Sequence, residues 1–192
     1  MPQQKHRPHR LHSPGAGFII TGFAAVLLLG FFGCGLEREF HYPAYIERLR
    51  GPLPTEQSVF RVPGLPLPLA EVANIEPETH RLQDSLGRVY RYVVDSGFRY
   101  TVEYWHAPQD SNQVIALNTN IFLASELQAQ RLLNDLSTFL SKKTQRAPEG
   151  SYGDYHWPVD TARQVLRLRL NPDKTSLTVS YFIASNYENL YP

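Results

Sequence analysis

The sequence predicts an α+β domain: an antiparallel five-stranded sheet in the order β-β-β-α-β-β, with one long helix packed on one face. An N-terminal transmembrane or signal segment precedes it. Three observations predict this. Apolar and polar residues alternate strictly from Arg88 onward, the mark of strands with one buried face. A single capped segment after Ser125 has helical spacing. A charge-free run, Gly17 to Leu36, stands ahead of both.

The strands come first. Tyr90, Tyr92 and Val94 fall on one face, Asp95-Ser96-Gly97 turns the chain, and Phe98, Tyr100, Val102 and Tyr104 alternate on the return. A third strand is expected near Gln113 to Asn118. Ser125-Glu126-Leu127-Gln128 is a capping box that opens a helix from Glu126 to about Lys143. Leu127, Leu132, Leu133, Leu136, Phe139 and Leu140 form its apolar stripe, and Lys142 and Lys143 suit the negative end of its dipole. Arg146 to Ala162 reads as a loop. Leu166, Leu168 and Leu170, the turn Asn171-Pro172-Asp173-Lys174, and Leu177, Val179, Tyr181 and Ile183 form the last hairpin. An exposed edge at Thr175 to Ala184 would offer a place for a partner strand.

The N-terminal third divides by composition. Residues 1–16 are basic and rich in His and Pro, and disorder is expected there. Lys5, Arg7 and Arg10 give residues 1–33 a charge of +3, leaving 16 basic and 18 acidic groups, −2, for the rest. Residues 17–36 form an apolar run of twenty residues, a helix of ~30 Å and about one hydrocarbon core. Basic residues before it and Glu37 and Glu39 after it place the remainder on the non-cytoplasmic side, periplasmic or extracellular. Residues 37–80 carry seven prolines and read as a stalk or as chain packed along the domain, with a Pro-rich ligand for a partner's aromatic groove as the sharper alternative; a short helix is expected from Pro43 to Arg50, ended by Gly51. The exported domain is then 81–192.

Phe31-Phe32-Gly33-Cys34 resembles the end of a bacterial lipoprotein signal, although Phe31 stands where an aliphatic residue is usual. That resemblance implies lipid on Cys34. The alternatives are a retained anchor, with Cys34 as a small apolar residue, and plain signal cleavage. Either the 17–36 segment or the lipid would hold the chain on the membrane.

Function is less legible. The near-balance of 19 basic and 18 acidic residues argues against a nucleic-acid binder. One Cys excludes an internal disulfide framework, and no phosphate loop, nucleophile elbow or His-Glu-x-x-His is present. No cofactor and no metal site are expected. The one cluster with catalytic residue types is Asp154, His156 and Asp160, which His106 and Asp110 would have to join for a hydrolase or metal-dependent enzyme. The polar sheet face carries Arg91, Arg99, Arg167 and Arg169 with Trp105 and Phe182 between them. Arg forks suit carboxylates and aromatics stack on sugars, so an anionic glycan or an envelope protein is the expected partner. A solvated face with Arg paired to Glu103 is the plainer reading.

Gly87-Arg88-Val89-Tyr90-Arg91-Tyr92 and the strand ending Val102-Glu103-Tyr104, behind an anchor and a Leu/Pro-rich lead-in, look like proteins associated with bacterial exosortase systems. The resemblance implies an accessory role in surface-protein sorting or exopolysaccharide export. The expected function is a non-enzymatic, membrane-anchored accessory or binding module of the bacterial cell envelope.

Overall fold

The computed structural model describes residues 42–54, 56, 58–82, 88–159 and 163–187. Expectations for the basic stretch 1–16, the segment 17–36, Cys34 and Asp160 fall outside these residues. Among the described residues, no helix is long and apolar enough to cross a membrane.

The architecture is α+β and antiparallel. In chain order the elements are α1 (Tyr42–Leu49), β1 (Leu67–Pro68), α2 (Leu69–Ile75), β2 (Arg81–Leu82) and β3 (Arg88–Val93). Next come β4 (Phe98–Ala107), β5 (Asp110–Leu123), α3 (Glu126–Thr144), β6 (Glu149–Ser151) and β7 (Asp154–Pro158). The chain closes with β8 (Gln164–Leu170), β9 (Ser176–Ile183) and the single turn α4 (Ala184–Tyr187). The sheet has nine strands, ordered β2-β3-β4-β5-β9-β8-β7-β6, with β1 pairing on β5.

The expected five strands are all present, and the four extra ones have physical reasons. Strands β1 and β2 are two residues each, one inside the proline-rich lead-in and one just past its end, too short for any alternation to be read. Strands β6 and β7 lie inside the stretch expected to be a loop. They are joined by Tyr152 and Gly153, both at positive φ (54° and 82°), the two-residue turn whose twist matches a hairpin. A Tyr in place of the usual Asn or Asp hides that turn in the sequence. Gly150 is required too: a Cβ there would stand 2.3 Å from the Asp154 carbonyl oxygen. Strand β5 runs on past Asn118 to Leu123. Strand β9 is paired on both sides, by β5 and β8, so it offers no edge to a partner strand.

The long helix is where the sequence placed it. Gln128 N–H donates to Ser125 Oγ at 3.3 Å, and the Gln128 side chain accepts from the Ala124 amide at 3.1 Å, one residue before the expected one. Ala129, Leu132, Leu133, Leu136 and Leu140 are buried against β5, β7, β8 and β9. Leu127 is not on this stripe and is 49 % exposed; Ala129 takes its place. Trp157 donates from its indole to Ser141 Oγ at 3.1 Å, fastening β7 to the same helix.

Of the two expectations for the proline-rich segment, it is chain packed along the domain rather than a free stalk, and it forms a second cover on the same face. Leu49, Phe60, Val62, Leu65, Leu67, Val72 and Ile75 are buried. The domain therefore includes the chain from Tyr42, and a boundary at residue 81 would cut through its core. Its fastener is an ion pair with both side chains at most 2 % exposed, Arg61 and Glu76. All five guanidinium donors are used. Nε reaches Glu76 Oε1 at 2.9 Å, and Nη2 reaches both carboxylate oxygens at 2.7 Å. Nη1 reaches the carbonyls of Arg48 and Leu49 at 3.1 and 3.0 Å. Tyr104 and Tyr92 donate their hydroxyls to the same carboxylate, the first at 2.6 Å. Burial opposes the Arg61 charge, but Glu76 and the surrounding hydroxyls more than compensate, and its pKa is raised. Burial beside this carboxylate pushes the Tyr104 hydroxyl well above its ordinary value. A second clamp is Gln164, whose amide bonds both the N–H and the C=O of Leu65.

A pair this deep is costly to break from one side, because the survivor stays charged in the core. Glu76→Ala is expected to destabilise by ~3–5 kcal/mol, and Leu136→Ala by ~2–5 kcal/mol through lost burial and a residual cavity. Leu127→Ala should stay within about 0.5 kcal/mol. Chemical denaturation of the three variants checks the order; a Glu76→Ala variant as stable as the parent contradicts it.

Candidate binding site on the open sheet face

Strand alternation sends every second residue of β3, β4, β5, β9, β8 and β7 to the face opposite α1, α2 and α3. The register then aligns them. Glu103, Asn118, Ser180, Arg167, His156 and Glu149 stand side by side across six strands. The next row runs Thr101, Asn120, Thr178, Arg169, Asp154 and Ser151. On the other flank, Trp105, Ala116, Phe182, Val165 and Pro158 form an apolar row.

Between these rows lies a trough of about 350 Å³, lined by Glu103, Asn118, Asn120, Arg169, Thr178 and Ser180, with Arg167 at its side. Asn118 and Ser180 form a buried floor, 6 % and 4 % exposed. A second, more open depression of about 530 Å³ adjoins it over His156, Asp154 and Phe182, sharing Arg167.

The trough is internally braced. Asn171 Nδ2 donates to Thr178 Oγ1 at 3.2 Å, Thr178 donates to Asn120 Oδ1 at 3.1 Å, and Asn120 Nδ2 donates to Glu103 Oε1 at 2.8 Å. Glu103 is thus held in place by Asn120. The four expected arginines have separate fates. Arg167 is pinned by Asp154 through two bonds, Nε to Oδ1 at 2.8 Å and Nη2 to Oδ2 at 2.5 Å. Arg99 lies over the Phe122 ring, 5.4 Å from its centroid. Arg91 is exposed opposite Thr101 at the far end of its row. Arg169 is exposed at the trough wall and, among the described residues, has no hydrogen-bond or ion-pair partner. Trp105 is half-buried beside a bulge in β4.

The expected catalytic cluster does not assemble. His106 is on β4 and His156 on β7, with three strands between them, roughly 19 Å at the usual strand spacing. Asp110 is exposed at the start of β5, where Oδ1 accepts from the Asn112 amide at 2.9 Å. His156 Nε2 faces Glu149 at 3.2 Å. Among the described residues, no three His, Cys, Asp or Glu side chains group closely enough to hold a metal. Burial and the Arg88 charge lower the His106 pKa.

Sequence reasoning missed Asn118 and Asn120 as trough residues because it ended the third strand at 118. The signal was the same alternation, continued through Asn118, Asn120 and Phe122. Comparison with known proteins finds no matching family, no similar curated protein and no similar solved structure.

The bonds from Arg167 hold the Asp154 carboxyl below its ordinary pKa, against a smaller opposing effect of burial. Because folding depresses this value, the pair stabilises the fold at neutral pH, and the stabilisation is lost as pH falls through the folded-state pKa. Both side chains are about a third exposed or more, so the effect on stability is small. Arg167→Gln should return the Asp154 carboxyl toward the ordinary range in an NMR titration. An unmoved titration would show that Arg167 does not hold it.

Proposed function

We propose that the chain is a non-enzymatic binding module, held on the outer side of a bacterial membrane and engaging its ligand with the open sheet face. The anchor part of this reading is supported by the apolar run 17–36 and its basic lead, which set membrane attachment and orientation. The binding part is carried by one observation, the braced trough. Asn118 and Ser180 are buried beneath the trough, and a network of aligned Asn, Thr and Glu side chains above them preorganises hydrogen-bonding groups for a ligand. The described helices that pack on the sheet take the opposite face, which leaves this one available.

The test is photo-cross-linking in native membranes. A benzophenone amino acid at position 101, beside the trough, is expected to give a discrete adduct. The same group at position 135, on the exposed side of α3, is expected to give none. No adduct at 101, or equal adducts at both positions, sinks the reading.

A further inference from the structure

We propose that the trough is a saccharide site that takes a uronic-acid unit, with the sugar's carboxylate on Arg169 and its hydroxyls on the Glu103–Asn120–Thr178 network. This rests on the binding-face reading above and names the ligand class for it.

The lining sets the class. A ligand that satisfies it must both donate and accept along its length, because Glu103 as a carboxylate only accepts, Arg169 only donates, and Asn118, Asn120, Thr178 and Ser180 do both. Polyols have that character at every hydroxyl. The volume, about 350 Å³, lies in the range of small-molecule sites, and Arg167 is shared with the neighbouring depression. Across β4, β5, β9 and β8 the trough covers three strand spacings, about 14 Å, which suits a short extended oligosaccharide.

Other ligand classes fit less well. A polyphosphate or nucleic acid would meet Glu103 and Asp154 in the same rows as the arginines, and Arg167 is already neutralised by Asp154. A peptide strand adds to sheet edges through its backbone, and this site is made of side chains in mid-sheet. A metal cation would sit against Arg167 and Arg169. A wholly neutral sugar would leave Arg169 unused. Arg169 faces Asp154 across β7 and β8 and its charge acts on that carboxylate, but the bonds to Asp154 are made by Arg167, which leaves the Arg169 donors for a ligand. Trp105 follows Glu103 by two residues on the same face of β4, about 7 Å along the strand, which puts an aromatic residue in the row beside the trough. One carboxylate among several hydroxyls therefore matches the charge and hydrogen-bond pattern.

The experiment uses the full chain in lipid nanodiscs and isothermal titration with three probes: trigalacturonate, its methyl ester and a short-chain polyphosphate. Trigalacturonate is expected to bind about tenfold or more tightly than the ester, since charge-assisted bonds to arginine are the stronger kind. Arg169→Gln should erase that difference. Position 169 is exposed, so the variant is expected to fold. Arg91→Gln, roughly 19 Å away on the same row, should leave binding unchanged, which separates a local site from general attraction. No trigalacturonate binding, equal binding of polyphosphate, or insensitivity to Arg169→Gln overturns the proposal. If the adduct at position 101 forms with a protein while trigalacturonate fails to bind, the saccharide class falls and the binding face stands. If neither occurs, both fall.

Discussion

The buried pair of Arg61 and Glu76 is the constraint on which the rest of this structure depends. Two full charges in a core are tolerable only when every donor and acceptor is matched, and here the five guanidinium donors and both carboxylate oxygens all have partners. The pair joins residues fifteen positions apart in a segment with seven prolines, whose helices, eight and seven residues long, are too short to be stable alone. It also reaches outward. The Arg48 and Leu49 carbonyls bring α1 into the bond set, and Tyr92 and Tyr104 bring β3 and β4. The guanidinium rests 5.4 and 5.6 Å from the ring centroids of Tyr92 and Tyr100, themselves stacked at 4.6 Å. Backbone geometry is bent to the same end. Arg61 has φ of 61°, and Gly51, φ 83°, lets the chain pass so close that a Cβ would meet Arg61 Cα at 3.2 Å.

This fastening decides which face of the sheet is wet. The N-terminal segment covers the half over β3, β4 and β5, and α3 covers the half over β8 and β7. Two covers on one face leave the polar rows of the other with no described helix against them. The rows themselves follow from antiparallel register, which brings side chains far apart in sequence to adjacent positions. Glu103 and Arg167 come within three strands of each other only because β9 lies between β5 and β8. The site is thus a product of strand order.

Much of the fold was legible because it is local. Alternation located β3, β4, β8 and β9; the Ser125 cap and the leucine stripe located α3; the Asp95 side chain, accepting from Gly97 N–H at 2.7 Å, closes the turn that was read from Asp-Ser-Gly. What escaped was non-local or atypical. Nothing in a proline-rich stretch announces that Arg61 will find Glu76, since composition describes an extended chain equally well in solvent or in a groove. The Tyr152-Gly153 turn lacks the residue that usually marks it. The binding face was legible as a row of arginines, but their roles depend on cross-strand neighbours. Asp154 accepts both its bonds from Arg167, and Glu103 accepts from Asn120.

The central claim, that the N-terminal segment is part of the folded core and is held there by this pair, is tested most directly by native-state hydrogen exchange at single amides. The Arg61 amide, bonded to the Arg50 carbonyl at 3.0 Å, and the Glu76 amide, bonded to Val72 at 2.8 Å, report on the segment. The amides of Leu117 and Thr119 in β5 report on the sheet. The account predicts that the four exchange with opening free energies within about 1 kcal/mol of one another, as one cooperative unit. Fast, unprotected exchange at Arg61 and Glu76 beside a protected β5 would contradict it, and would return residues 42–80 to the status of a stalk.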